Sequence, residues 1–172
     1  MPPTACEDLL DLVDFSSVEC LNQDPKHGIE NALKQGLRED GGLFLESDTD
    51  EQLLMHIMFK QAVKVRSVCI LGPEDGSAPK FVKIFINTPT LGFSEADENP
   101  ATQQFDLTEE NLKGIPVDLR FVKFQQVNTL TFFIESNQGD EDTTKITKII
   151  IYGSSGETMN VSDIMKNQQQ GG

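Results

Sequence analysis

The sequence has no tryptophan, one tyrosine and only two histidines in 172 residues. Carbohydrate sites depend on aromatic platforms, and metal cages or Ser-His-Asp relays depend on histidine, so material for each is scarce. His56 falls on the second face of a predicted strand and His27 in a turn, with no nucleophile nearby. We therefore expect a protein that is not an enzyme and that binds no metal and no cofactor.

Basic residues are also few, with 14 Lys and Arg against 28 Asp and Glu, which gives a net charge of −14. Such a surface repels phosphate backbones and anionic lipid, so we expect neither a nucleic-acid nor a membrane partner.

The sequence contains no run of about 18 apolar residues and no basic segment that would open a signal peptide. The three cysteines form no CxxC motif, which suits a reducing compartment. A cytoplasmic monomer is expected, with the nucleus as a second compartment.

The negative charge is concentrated near the N-terminus. Residues 1–51 hold 13 acids and 3 bases, and residues 52–172 hold 15 acids and 11 bases, giving net charges of −10 and −4. Two interpretations stay open: a solvated face, or an electrostatic patch for a basic partner surface.

Alternating apolar residues predict a β protein of one domain, since 172 residues suffice for a single core. In the first strand, Leu53, Met55, Ile57 and Phe59 share one face and His56 lies on the other. Beyond Ser67 both faces are apolar, which indicates a bulge or a second covered face. A short helix is predicted at 26–34, and Thr108 could cap a helical turn. The predicted strands are 53–59, 63–71, 81–86, 120–124, 130–134 and 146–152.

Polar loops separate these strands, at 72–79, 87–104, 113–118 and 137–144. Short strands divided by such loops favour an antiparallel sandwich or barrel. The stretch 135–144 is the most distinctive, because two apolar strands could be joined by a much shorter turn. It is either a solvated wide loop or a recognition loop on a rigid scaffold.

Four blocks of the sequence, at 45–54, 78–87, 119–125 and 136–144, resemble the PITH domain, the C-terminal proteasome-interacting domain of thioredoxin-like proteins. The resemblance covers residues 9–166, flanked by an expected flexible arm at 1–8 and a disordered polar tail at 167–172. It implies an all-β jelly-roll sandwich, galactose-binding-like, with short helical turns. The thioredoxin domain with its CxxC site is missing, so the resemblance implies a stand-alone PITH domain with an adaptor role and no reductase activity.

We therefore predict a non-enzymatic protein-interaction module, with the proteasome regulatory particle as its partner. The alternative is a small-ligand site of the carbohydrate-binding kind, by analogy with galactose-binding-like sandwiches. The predicted partner-binding residues are the polar side chains of the two acidic loops: Glu46, Asp48, Asp50, Glu51, Asn137, Gln138, Asp140, Glu141, Asp142, Thr143 and Thr144.

Overall fold

A computed structural model describes residues 6–155 of the chain. Within this range ten strands dominate and the helices are short. The strands are β1 (Glu7–Asp8), β2 (Glu19–Leu21), β3 (Leu45–Glu46), β4 (Leu53–Leu71), β5 (Phe81–Ile86), β6 (Gln103–Asp106), β7 (Val117–Asp118), β8 (Val127–Ile134), β9 (Lys145–Ile146) and β10 (Lys148–Ser155). The helices are α1 (Glu30–Leu33), α2 (Phe93–Glu98) and α3 (Glu109–Leu112), with 3₁₀ turns at Leu9–Leu12 and Phe121–Lys123. In residues 6–155 no helix has the length and apolar character needed to cross a membrane.

Eight antiparallel strands form one curled sheet, in the order β1-β10-β4-β8-β5-β6, and β2 and β7 also pair with β4. The 19-residue β4 makes the curl, because its first half pairs with β8 and β2 and its second half pairs with β10 and β7. The predicted strands 53–59 and 63–71 are thus one strand, whose register shifts between Met58 and Val63. A separate ribbon of β3 and β9 closes one end of the sheet.

The alternation predicted for the first strand is confirmed. Leu53, Met55, Ile57 and Phe59 enter the main core, which the two halves of the curled sheet enclose. On the opposite face, α2 and its flanking loops cover a second cluster, formed by Leu54, Phe85, Leu91, Ala96 and Phe133. Both faces of this part of the sheet are therefore covered.

His56 is buried between these layers at 1% exposure. One ring nitrogen, Nδ1, lies 2.8 Å from Thr131 Oγ1, and Nε2 lies 2.9 Å from the Leu91 carbonyl oxygen. Because a carbonyl only accepts, Nε2 donates to Leu91, and in a neutral ring Nδ1 then accepts from the Thr131 hydroxyl. His56 is thus a packed residue whose hydrogen bonds are satisfied.

A β-bulge lies where the sequence indicated one, beside Ser67. Tyr152 and Gly153 are consecutive in β10, but they pair with Ser67 and Val65, so Arg66 is the extra residue of β4. A Cβ on Gly153 would lie 1.9 Å from the Lys64 carbonyl oxygen. The bulge therefore requires glycine at position 153.

The predicted strand 120–124 is wrong. Phe121–Lys123 form a 3₁₀ turn, closed by hydrogen bonds from Lys123 N to Arg120 O and from Phe124 N to Phe121 O. Two phenylalanines three residues apart both face the protein in such a turn, and Val122 between them faces solvent. The aromatic spacing thus follows a helical period, although the residue types favour a strand.

Other local predictions are partly confirmed. Thr108 caps α3 by accepting from Asn111 N, as expected. The predicted helix at 26–34 is shortened to α1, and the predicted loop 87–104 contains α2 and the first residues of β6. Glu7 and Asp8, included in the predicted flexible arm, pair with Gly153 and Tyr152. Residues 1–5 and 156–172, with the predicted tail, lie outside the described range.

Candidate functional site

The β3–β9 ribbon brings the two predicted acidic loops together. Leu45 pairs with Ile146 and Glu46 pairs with Lys145. The contact continues beyond the strands, because Ser47 N donates to Thr144 O at 3.0 Å and Thr144 N donates to Ser47 Oγ at 2.8 Å. The segments 46–51 and 137–144 therefore share one end of the sheet.

Asn137 fixes the shape of the second loop from inside. Its side chain is 5% exposed, donates to the carbonyl oxygens of Glu141 and Thr143, and accepts from Glu141 N at 2.8 Å. The fully buried Thr144 donates its hydroxyl to the Glu51 carbonyl oxygen at 2.6 Å. These side chains satisfy backbone groups that a wide loop would otherwise leave unpaired.

A third loop, at residues 72–79, packs against the loop at 137–144. The sequence did not assign this third loop to the site. Gly139 N donates to Gly76 O at 2.8 Å, and a Cβ on Gly139 would lie 2.6 Å from Gly76 Cα. Ser77, the residue after Gly76, is also fixed, because its carbonyl oxygen accepts from Lys145 N at 2.8 Å. Only two glycines allow the backbones to approach this closely.

Asp75 belongs to this third loop and accepts hydrogen bonds from the hydroxyl and the backbone N–H of Ser77. The hydroxyl is the larger cause, and the two bonds lower the pKa of Asp75 from the ordinary value of 3.8. Asp75 is therefore a fixed negative charge at neutral pH.

The three loops enclose an open depression of about 340 Å³, called here the acidic depression. Its lining is rich in carboxylates and consists of Glu46, Asp75, Gly76, Ser77, Glu141, Asp142, Thr143 and Lys145. Thr143 Oγ1 donates to Glu46 Oε2 at 2.7 Å, which orients that carboxylate. Among residues 6–155, no group of three or more His, Cys, Asp or Glu side chains has a metal-binding arrangement.

The negative charge of the depression is weakly compensated. Its one lysine, Lys145, places Nζ 5.1 Å from the centroid of the Phe44 ring, which stacks on His27 at 4.3 Å. None of the ion pairs found in the described range involves a carboxylate of the depression. The depression thus presents to solvent carboxylates that have no ion-pair partner among the described residues.

The predicted site residues fall into three groups. Glu46, Glu141, Asp142 and Thr143 line the depression, whereas Asn137 and Thr144 are buried supports. Gln138 is a further support, because its Nε2 donates to the carbonyl oxygens of Pro79 and Leu107.

The third group lies beside the depression. Asp48 and Asp50 are exposed on the neighbouring turn, where Asp50 accepts from Asn22 Nδ2 at 2.9 Å. Glu51 contributes its backbone carbonyl to Thr144. Asp140 is exposed at the loop tip with a φ of 57°. These residues extend the acidic surface but do not line the depression.

Sequence reasoning missed Asp75, Ser77 and Lys145. The Asp-Gly-Ser order of residues 75–77 is a turn signal, but turn chemistry does not reveal which distant loop the turn contacts.

The curled antiparallel sheet, with a depression formed by loops at one end, has the fold of galactose-binding-like β-sandwiches. Solved structures of this class resemble the chain. The family 32 carbohydrate-binding module of Clostridium perfringens NanJ, in complex with galactose, has a TM-score of 0.61 at 8% identity and covers 86% of this chain and 98% of that one. The two such modules of C. perfringens ZmpB, in complex with GalNAc, have a TM-score of 0.63 at 11% identity, covering 85% of this chain and 35% of that one. The jelly-roll expectation is confirmed.

The sequence matches the PITH domain over residues 1–170, so the chain belongs to the PITH domain family. Thioredoxin-like protein 1 of Schizosaccharomyces pombe is 41% identical over 146 residues, which cover 82% of this chain and 49% of that protein. PITH domain-containing protein 1 of Dictyostelium discoideum is 32% identical over 142 residues (82% and 70%). The human protein of the same name is 30% identical over 142 residues (82% and 66%). The chain spans about half the length of the S. pombe relative.

Proposed function

We propose that this PITH domain is a non-enzymatic adaptor that docks on the proteasome regulatory particle through the acidic depression. Membership of the family supports a protein-interaction role. The observation that carries the proposal is the convergence of the two predicted acidic loops on one side of a fixed scaffold. We further propose that it acts as a monomer in the cytoplasm, and in the nucleus as a second compartment.

The physical basis of the proposal is electrostatic complementarity. The depression holds four carboxylates and one amine, within a chain of net charge −14. A negative surface of this kind accelerates association with a basic partner surface and disfavours acidic competitors. The buried supports Asn137 and Thr144 hold the loops in shape before binding, so little ordering is required when a partner docks.

Catalysis is poorly supported by the described residues. Both ring nitrogens of His56 are hydrogen-bonded in the core, and the ring of His27 stacks on Phe44. Burial raises the pKa of the Cys20 thiol to about 12, the main cause being desolvation, with a smaller contribution from Glu19. Covalent catalysis needs a general base paired with an activated nucleophile, and His56, His27 and Cys20 do not form such a pair.

The carbohydrate alternative rests on likeness of fold, which does not establish function. The modules of NanJ and ZmpB were solved with galactose and GalNAc, respectively. This chain has no tryptophan, and its one tyrosine, Tyr152, is half-buried within β10. A protein partner therefore fits the depression better than a sugar. A glycan array on the intact chain separates the two, and specific binding to any glycan would favour the alternative.

The proposal is tested by measuring the affinity of the intact chain for purified proteasome regulatory particle, with the chain immobilised. The double variant Glu141→Lys with Asp142→Lys reverses two exposed charges of the depression. Its matched control is Asp97→Lys with Glu98→Lys, two adjacent exposed acids at the end of α2.

We expect the first variant to weaken binding about tenfold or more and the control to bind like the native chain. Equal binding by both variants would refute the acidic depression as the docking site. Failure of the native chain to bind would refute the proteasome as its partner.

A further inference from the structure

Residues 113–124, together with Arg66, form a surface called here the basic ribbon. It contains Ile115 and Val122, which are 58% and 84% exposed and are the exposed large apolar side chains in the described range. Single exposed apolar residues are ordinary on protein surfaces. Here two such residues lie on one short segment, and the rest of residues 6–155 has none. This concentration distinguishes the basic ribbon from the remaining surface.

The ribbon is also basic, in a chain of net charge −14. Lys113, Arg120 and Lys123 are exposed, and Asp118 is the one acid in this stretch of sequence. The ion pairs found among residues 6–155 use Arg38 and Lys148 as their cations, so the charges of the ribbon have no carboxylate at ion-pair distance there. Arg120 and Lys123 are therefore exposed cations with no ion-pair partner among the described residues. Lys113 instead lines a pocket with Glu74, Asp75 and Glu109.

Arg66 is the extra residue of the β-bulge in β4. A bulged residue leaves the regular alternation of the strand, and here the guanidinium carbon lies 4.1 Å from the centroid of the Phe121 ring. Stacking on an aromatic face leaves the edge of a guanidinium free, and this edge matches a carboxylate with two parallel hydrogen bonds. Arg66 is therefore held in a geometry suited to an acidic side chain.

Backbone hydrogen bonds fix the ribbon to the sheet on both sides of its 3₁₀ turn. Leu119 N donates to Arg66 O at 2.9 Å, and Val65 N donates to Phe124 O at 2.9 Å. From β6, Gln103 accepts from Arg120 N at 2.7 Å and donates to Asp118 O at 3.2 Å. The exposure of Val122 is thus imposed by a fixed turn.

We propose that the basic ribbon is a second docking surface, which binds an acidic protein segment that carries an apolar side chain. The cations Arg66, Arg120 and Lys123 pair with its carboxylates, and Val122 contacts its apolar side chain. Phosphate would satisfy the cations alone, and the net charge of the chain repels a nucleic acid. The combination of charge and exposed valine favours a peptide.

This inference does not rest on the proposed function, because the basic ribbon and the acidic depression have no residue in common. Lys113, at one end of the ribbon, lines a pocket with Asp75 of the depression. The tested residues Arg120, Val122 and Lys123 lie at the other end, next to Arg66, which is six residues from Gly72, or about 20 Å along an extended strand. The two surfaces can therefore be tested separately.

The test uses the intact chain and three fluorescent peptides of equal length. The first alternates Asp and Glu with Leu and Phe, the second replaces Leu and Phe with Ser, and the third replaces Asp and Glu with Lys. Fluorescence anisotropy gives the affinities, and amide chemical shifts locate the contact. The variants are Val122→Ser and the double variant Arg120→Glu with Lys123→Glu; the control, of equal charge change, is Lys26→Glu with Lys80→Glu, two exposed lysines outside the ribbon.

We expect the first peptide to bind and to shift the amides of Phe121, Val122 and Lys123. The double variant should weaken binding about tenfold or more, Val122→Ser about threefold or more, and the control should bind like the native chain. Because Val122 is 84% exposed, its change leaves folding unaffected.

Any of these results would overturn the proposal: no binding of the first peptide, shifts that map elsewhere, equal affinity for the serine or the lysine peptide, or equal loss of affinity in the control variant. An oligonucleotide of equal charge that bound as tightly as the first peptide would overturn it as well.

Discussion

Ser47 and Thr144, 97 residues apart in sequence, exchange two hydrogen bonds, in which each backbone N–H donates to the other residue. Both residues are at least 99% buried. This pair joins the two acidic loops, so the shape of the acidic depression depends on a small buried polar contact beneath it.

The Ser47→Ala variant removes the acceptor of the Thr144 N–H and leaves that group buried without a partner. We expect the free energy of unfolding to fall by about 1–3 kcal/mol, the range for such a loss. Urea denaturation gives the value. The control is Ser94→Ala, which changes an exposed serine of α2 and should alter stability little. Equal stability of Ser47→Ala and the native chain would contradict the assignment of this contact as a support.

The Gly139→Ala variant introduces a Cβ that would lie 2.6 Å from Gly76 Cα, so one of the two loops must move. We expect a loss of stability of about 1–3 kcal/mol, together with changed amide shifts in both loops. Gly41→Ala is the matched control, because nothing lies within 4 Å of its added Cβ. Unchanged shifts for residues 75–77 in Gly139→Ala would show that the loops are not packed together.

The pH dependence of stability should contain a contribution from Asp75. Its pKa is lowered by Ser77 from the ordinary value of 3.8, so the stabilisation is complete above 3.8 and is lost as the pH falls through the folded-state pKa. Carboxyl NMR titration measures that pKa directly. In Ser77→Ala we expect it to rise towards 3.8 and the acid-dependent loss of stability to shrink. An unchanged Asp75 pKa in Ser77→Ala would contradict the hydrogen bonds as its cause.

The cysteines should differ sharply in reactivity. Cys6 is exposed, whereas burial raises the pKa of Cys20 to about 12 and also raises that of Cys69. Because the thiolate is the reactive form, a disulfide reagent at about pH 8 should modify Cys6 quickly and Cys20 and Cys69 slowly. Cys6→Ser should remove the fast phase, and unfolding the chain should expose all remaining thiols. A fast phase that persists in Cys6→Ser would contradict the burial of Cys20 or of Cys69.

Local patterns carried much of the fold. The alternation of Leu53, Met55, Ile57 and Phe59 identified the core face of β4, and the apolar run beyond Ser67 indicated the bulge, because both signals depend on neighbours in sequence. The prediction of a strand at 120–124 is wrong because the β-favouring residue types conceal the three-residue spacing of Phe121 and Phe124.

The candidate site was only half accessible to sequence reasoning. Its acidic loops are visible as polar stretches, but the pairing of Ser47 with Thr144 and the approach of Gly76 to Gly139 depend on strand order, which periodicity does not contain. For the same reason the sequence assigns Asn137 and Thr144 to partner binding, whereas in the structure their side chains hold the loop together.

Photo-cross-linking decides whether the acidic depression is the docking surface. A benzoylphenylalanine replaces Asp142 in one sample and Glu98 in another, and each intact chain is irradiated with purified proteasome regulatory particle. Docking through the depression gives a covalent adduct with a regulatory-particle subunit from position 142 and none from position 98. An adduct from position 98 alone, or equal adducts from both positions, would contradict it.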